Sequence, residues 1–406
     1  MIDASIGHGS GKILAILALR AEHHRFNGGA PTLRDVHCVS FKVSASWTGE
    51  SVAEFLMKVI KAIGFSPLGI LKDGGTDLAK AGKILGERGL AVPSIDDVSH
   101  FFANLLKREY GNHPMLAVFL SACGAASKKL KQSLLACLAP PKISIKARFM
   151  NLRRLVDWAD KILKHSPKGR AAKGSILEKL RKCLDKIPEC KAFIKRFLRD
   201  ASALAKIQEI LKNKGLSRET AEQCKAVLQE SIPSGSEVRI GAAGWIDKHL
   251  VIAEELGLAE AGLPVTTDSI ESLFGVAKVR GTGPVKDANR IAARLPAFCG
   301  PPPTLEDAEA ALNVSVRERV RILESAPSLI KQRREVLPNP GALESLAPGE
   351  PGGGLTLIPG SKNRQKNGKV QIVSDVSEKI RGPAPMRDQE AVFPASDLFS
   401  GVPSTG

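Results

Sequence analysis

The sequence lacks any long apolar segment. No run of about eighteen or more uncharged apolar residues occurs, and a membrane-spanning helix needs that length. The N-terminus also lacks a charged segment followed by an apolar stretch and a small-residue cleavage site. We therefore expect a cytoplasmic protein with no membrane partner.

Cysteine is scarce, and it does not occur in metal-binding patterns. The chain has seven cysteines, an odd number, and no Cys-x-x-Cys pair. This argues against both a zinc finger and a disulfide framework. We expect the cysteines to be small core residues in a reducing compartment.

Acidic residues are scarce in one segment only. Residues 128–214 contain 24 Lys and Arg against 7 Asp and Glu, and their net charge of +17 equals that of the whole chain. Such a concentrated positive charge indicates a polyanionic partner, with nucleic acid first and an anionic membrane surface second. A solvated helical face is the alternative. The candidate DNA-binding residues are Lys146, Arg148, Arg153, Arg154, Lys195 and Arg196.

The first 110 residues have the pattern of a mixed sheet. Alternating or apolar runs predict three consecutive strands, at residues 1–7, 12–21 and 35–47, and then a helix at 49–64. Two strand and helix pairs follow, with strands at 68–72 and 91–95 and helices at 76–88 and 97–110. This order predicts an α/β fold with five strands and helices on the faces of the sheet.

The rest of the chain is predicted to be helical and then irregular. Apolar stripes between Pro and Gly residues predict helices only over 114–235, a helix at 263–278 with Thr267 or Asp268 as its N-cap, and a charged helix at 305–332. We expect the domains to be a core at 1–113, a basic all-helical insertion at 114–260, completion of the core at 261–335, and a disordered Pro- and Gly-rich tail at 336–406.

Three acidic residues form a candidate metal site. Asp73 follows a short apolar strand directly and precedes two glycines, and Asp3 lies in the first strand. If the first strand is central, their two strands are neighbours, about 4.8 Å apart, and the carboxylates can share divalent cations. Glu271 lies beside the apolar seam of a later helix and is the third candidate. Asp268 is three residues earlier on the same face. Asp73 as a simple turn or cap residue is the alternative.

These residues carry a resemblance to a known family. The segments Asp73-Gly-Gly-Thr-Asp-Leu, Asp97-Val-Ser-His and Asp268-Ser-Ile-Glu-Ser-Leu-Phe-Gly are similar to motifs of bacterial DDE transposases with a ribonuclease H-like core. The Asp97-x-x-His100 element resembles one found in hAT-like and Mutator-like transposases. Those enzymes place a large helical insertion before the catalytic glutamate, and here 198 positions separate Asp73 from Glu271.

The resemblance implies a specific activity. Asp3, Asp73 and Glu271 would bind two Mg²⁺ or Mn²⁺ ions and catalyse DNA strand cleavage and strand transfer. Asp97, His100 and Asp268 would support the site, although a histidine near a helix start can also be a core residue. The implied partners are element ends and target DNA, bound by a homo-oligomer at the nucleoid.

Two alternatives belong to other classes. A different nuclease of the ribonuclease H fold would act on RNA–DNA hybrids or junctions, so its substrate preference would distinguish it. A non-catalytic, transposase-derived DNA-binding protein would bind DNA with a steep salt dependence but without metal-dependent cleavage. Membrane-surface binding ranks below both, because the basic helices lack apolar faces rich in Trp and Phe.

Overall fold

The fold is described by a computed structural model. It describes residues 1–8, 11–24, 29–142, 148–166, 168–279, 288–302, 304–306, 309 and 391–392.

A mixed sheet organises the first part of the chain. Its strands are β1 (Ile2–His8), β2 (Gly11–Leu19), β3 (Val36–Ser44), β4 (Ile70–Lys72), β5 (Ser94–Asp96) and the short β6 (Ala391–Val392). The strand order is β5-β4-β1-β2-β3-β6. Strands β1, β2 and β3 pair antiparallel, β4 and β5 pair parallel beside β1, and β6 pairs antiparallel with β3.

Helices cover both faces of this sheet. Because side chains alternate along a strand, Leu14 packs with helices α1 (Gly49–Ile63) and α2 (Thr76–Glu87), whereas Ile13 faces the other way. On that second face lie α10 (Asp268–Val279) and α11 (Ala288–Ala292). The sheet is therefore buried on both sides, as the apolar content of β2 requires.

A large helical region follows β5. Its helices are α3 (Val98–Tyr110), α4 (Pro114–Lys131), α5 (Arg148–His165), α6 (Ile176–Cys183), α7 (Lys191–Lys214), α8 (Arg218–Ser231) and α9 (Glu237–Glu255). Short 3₁₀ turns lie at Ala136–Leu138, Pro188–Cys190 and Pro296–Phe298. The helices share one apolar cluster with Leu71 of β4 and Ile95 of β5, so the helical region and this edge of the sheet are packed together.

A two-residue bridge joins the end of α7 to the segment before α10. Leu216 and Leu263 exchange backbone hydrogen bonds of 2.8 and 2.9 Å, and both side chains are buried. The residues before them, Gly215 and Gly262, have φ angles of 72° and 94°. A Cβ on Gly215 would lie 2.9 Å from the Gly262 carbonyl carbon, so glycine allows the two segments to approach closely.

The α/β class and the mixed sheet with flanking helices are confirmed. The predicted strand at 91–95 is displaced, because pairing with β4 begins only at Ser94. Pro93 precedes it and has no N–H to donate to a ladder. The predicted helix at 305–332 and the predicted tail lie almost wholly outside the described residues, and within that tail Ala391–Val392 form a strand.

The predictions drawn from the lack of long apolar segments and from the cysteines can be compared with the structure. None of the helices in the described part of the chain has the length and apolarity needed to cross a membrane. All seven cysteines are free thiols, and five of them are buried. The expectation that cysteines are core residues is confirmed for those five, whereas Cys137 is exposed and Cys299 is half-buried.

Candidate functional site

Three aspartates lie side by side at one edge of the sheet, one in β1 and two directly after β4 and β5. Ile2 of β1 pairs with Lys72 of β4, and Lys72 pairs with Asp96 of β5. The residues that follow these three are Asp3, Asp73 and Asp97. Because side chains alternate, all three project to one face, which we call the front face of the strand tips.

Asp3 and Asp73 form a pair of neighbouring carboxylates on the front face. Burial, followed by the neighbouring Asp73 carboxylate, raises the pKa of Asp3 to about 7. Each carboxylate accepts one local backbone hydrogen bond, from Ala4 at 2.6 Å and from Gly75 at 2.9 Å respectively. Within the described residues neither forms a salt bridge. This is the electrostatic setting of a cation-binding pair.

Asp97 is fully occupied by hydrogen bonds. One oxygen accepts from the His100 backbone N–H at 2.7 Å and lies 3.0 Å from the His100 ring Nδ1. The other accepts from the Thr267 backbone N–H at 2.6 Å and its hydroxyl at 3.0 Å. Burial alone would raise the pKa of Asp97, but these bonds lower it. Asp97 therefore fastens the start of α3 to the segment before α10.

His100 connects Asp97 to Glu271. Its Nε2 lies 3.4 Å from a Glu271 carboxylate oxygen. The hydrogen bond with Asp97 raises the pKa of His100 to about 9 despite burial, so the imidazolium form is favoured at neutral pH. Burial raises the pKa of Glu271, and His100 opposes that shift. The structure thus places Glu271 within electrostatic reach of Asp3 and beside His100.

Asp268, at the start of α10, forms an ion pair with a lysine. Its carboxylate lies 2.6 Å from Nζ of Lys212, in the last turn of α7. Both Asp268 and Lys212 also act electrostatically on Glu271. Asp268 therefore belongs to the same charged group, but its carboxylate pairs directly with the ammonium group of Lys212.

The opposite face of the strand tips carries a second ionic group that the sequence did not indicate. Lys72 is buried and its Nζ lies 2.5 Å from Asp96, whose other oxygen is 3.0 Å from Lys248. Nε2 of His249 accepts from the Asp96 backbone N–H at 3.0 Å. Burial lowers the pKa of His249 to about 4, which matches this acceptor role. The only local signal is a lysine within an apolar strand.

The donor chemistry fits a hard divalent cation through Asp3 and Asp73. Among the described residues, no three His, Cys, Asp or Glu side chains are grouped so that they could hold a metal ion by themselves. Mg²⁺ is commonly held by one or two carboxylates, with water and substrate phosphate as the remaining ligands. Asp3 and Asp73 can supply these one or two carboxylates, while Glu271 contacts His100.

The candidate DNA-binding residues that the structure describes lie on two neighbouring helices. Lys146 is outside the described residues, and for Arg148 only the backbone is described. Arg154 on α5 and Lys195 on α7 are exposed. Arg153 lies 3.9 Å from Asp157, and Arg196 pairs with Glu109, so both have protein partners.

The tryptophans are packing residues. Trp245 is buried and stacks on His249 with ring centroids 4.2 Å apart. Trp47 and Trp158 donate their indole N–H groups to the backbone carbonyls of Lys12 and Leu138.

Comparisons with known proteins leave the site to be interpreted from its own residues. No protein-family model matches this chain, and no curated protein has a similar sequence.

Proposed function

We propose that this chain is a DDE-type transposase that cleaves and joins DNA strands at the front face of the strand tips. The observation that carries the proposal is the pairing of Asp3 with Asp73, with Glu271 within electrostatic reach of Asp3. These acids come from positions spread over most of the described chain, and each of the other two contributes to the raised pKa of Asp3. Like charges held close together are costly, so such a group is typical of a functional site.

The strand order supports the finer fold assignment in this proposal. β1 lies in the middle of the sheet, with antiparallel β2 and β3 on one side and parallel β4 and β5 on the other. A ribonuclease H-like core has its acids on the first strand, on the fourth strand and on a later helix. Asp3, at the start of β1, Asp73, directly after β4, and Glu271, on α10, match that arrangement.

The residues of the site would divide the work. Asp3 and Asp73 would hold Mg²⁺ or Mn²⁺, with Glu271 as the third carboxylate. When bound, two such ions activate the attacking oxygen and stabilise the leaving oxygen of a phosphodiester. Asp97 holds His100 in place, and protonated His100 holds Glu271. The exposed basic residues of α5 and α7 would bind the phosphate backbone of DNA.

A cleavage assay tests this proposal. Purified protein is incubated with Mg²⁺ or Mn²⁺ and a supercoiled plasmid that carries the DNA flanking its gene. We expect nicked or joined products, and a loss of at least about 100-fold in Asp73→Ala and Glu271→Ala. Asp77→Ala is the matched control, because Asp77 is exposed on the neighbouring α2 and should leave activity unchanged. Equal activity in Asp73→Ala and the wild type would refute the assignment.

A non-catalytic DNA-binding protein is the second candidate. It is favoured by one observation, the absence of a three-donor metal group among the described residues. This candidate predicts DNA binding that falls steeply with salt and no cleavage with either metal. The same protein preparations therefore distinguish the two candidates.

A further inference from the structure

An ion pair connects the basic helical region to the helix that carries Glu271. Lys212 in the last turn of α7 and Asp268 at the start of α10 lie 2.6 Å apart, and their side chains are 27% and 41% exposed. An ion pair that is partly accessible to solvent contributes little to stability.

The two helices do not depend on this pair for their contact. The hydrogen-bonded bridge between Leu216 and Leu263 already fixes the end of α7 against the segment before α10. Both leucines are buried, and the adjoining Gly215 and Gly262 allow the close approach. Lys212 can therefore exchange its partner without separating the helices.

Asp268 does not depend on Lys212 either. It is the first residue of α10, where the unpaired N–H groups and the helix dipole stabilise a negative charge. Its own N–H donates to the Thr266 hydroxyl at 3.2 Å. Losing the lysine would leave Asp268 in a favourable position.

The pair also lies beside the acids of the proposed site. Asp268 and Glu271 are three residues apart on one helix and share a face. A phosphodiester that approaches these acids meets negative charge. His100 and Lys212 both lie within electrostatic reach of Glu271, but His100 is held between Asp97 and Glu271. The side chain of Lys212 is partly exposed beside Asp268, so an incoming phosphate can reach it.

We propose that Lys212 is a phosphate-binding residue of this site, and that Asp268 holds it in the free protein until a nucleic-acid phosphate takes its place. The inference rests on the proposed function and adds a competition between a carboxylate and the substrate for one lysine. The two partners should therefore have opposite effects on binding. Removing Lys212 weakens the nucleic-acid complex, and removing the Asp268 charge strengthens it.

Fluorescence anisotropy with a labelled 30-base-pair duplex tests the competition. It is measured in EDTA from about 50 to 200 mM salt. We expect Lys212→Met to weaken binding by about threefold to tenfold and to lower the salt slope by about one. We expect Asp268→Asn to tighten binding by about threefold. The double variant should bind like Lys212→Met.

Asp247→Asn is the matched control. It makes the same change in net charge and breaks another exposed pair, in which Lys225 lies 3.0 Å from Asp247. Its effect on duplex binding should be smaller than that of Asp268→Asn. If Asp268→Asn instead weakens binding as Lys212→Met does, the pair only ties the helices together and the inference is overturned.

The inference and the proposed function can fail separately. If Asp73 is required for cleavage but duplex binding is the same with and without Lys212, the inference alone is wrong. If the wild type binds the duplex without cleaving any plasmid, the transposase proposal is wrong. The opposite effects of Lys212→Met and Asp268→Asn would then still support phosphate binding by Lys212.

Discussion

The surroundings of Asp3 disfavour ionisation of its carboxyl group at neutral pH. Burial and the Asp73 carboxylate raise its pKa from 3.8 to about 7. Because the folded-state pKa exceeds the unfolded value, ionisation of Asp3 opposes folding. Its contribution to stability is present in full below about pH 4 and is lost as the pH rises through about 7.

This shift predicts a pH dependence that one substitution removes. In EDTA, the free energy of unfolding of the wild type should fall by roughly 2–4 kcal/mol more than that of Asp3→Asn between pH 4.5 and 7.5. Urea denaturation at both pH values measures the difference. Asp77→Asn, at an exposed position of α2, should follow the wild type. Parallel profiles for the wild type and Asp3→Asn would show that the pKa of Asp3 is not raised in the folded protein.

At the scale of elements, the junction between α7 and α10 depends on glycine. Gly215→Ala should lower the free energy of unfolding by more than about 2 kcal/mol, because it combines a left-handed backbone with contact against Gly262. Gly257→Ala is the control. Gly257 has a similar φ of 69° but no atom within 4 Å of an added Cβ, so about 1 kcal/mol is expected. Equal losses in urea denaturation would contradict the close approach.

Local patterns in the sequence predicted most elements but not the contacts between them. Strands β1 to β4 and helices α1 to α3 follow from apolar periodicity, and Gly64 ends α1 as expected. The contact of Asp97 with Thr267 spans 170 positions, and no local pattern encodes it. The same holds for Lys212 with Asp268. The sequence therefore indicated the acidic residues of the site, but it did not show which basic residues pair with them.

At the scale of the whole molecule, one apolar cluster includes both the helices and two strands. Leu71 and Ile95 from the sheet belong to the same cluster as the buried residues of α3 to α9. Removal of either part would expose apolar surface on the other, which favours cooperative unfolding.

Cooperative unfolding can be tested in a single variant. In Trp158→Phe/Trp245→Phe, fluorescence reports only Trp47, which packs on the sheet, while far-UV circular dichroism reports mainly the helices. We expect the two urea midpoints to coincide, because the shared cluster couples the parts. Two separate midpoints would show that the sheet and the helical region unfold independently.

The register of β4 against β1 decides which side chains lie on each face of the strand tips, so it affects the chemistry of the site as well as the packing. Asp73 projects to one face and Lys72 to the other. A slip of one residue would exchange them, because side chains alternate. An ammonium group would then stand beside Asp3, where it would neutralise the acid and occupy the place of a cation. Under the proposed function a misaligned sheet would be inactive, so the correct alignment would be needed for activity as well as for packing.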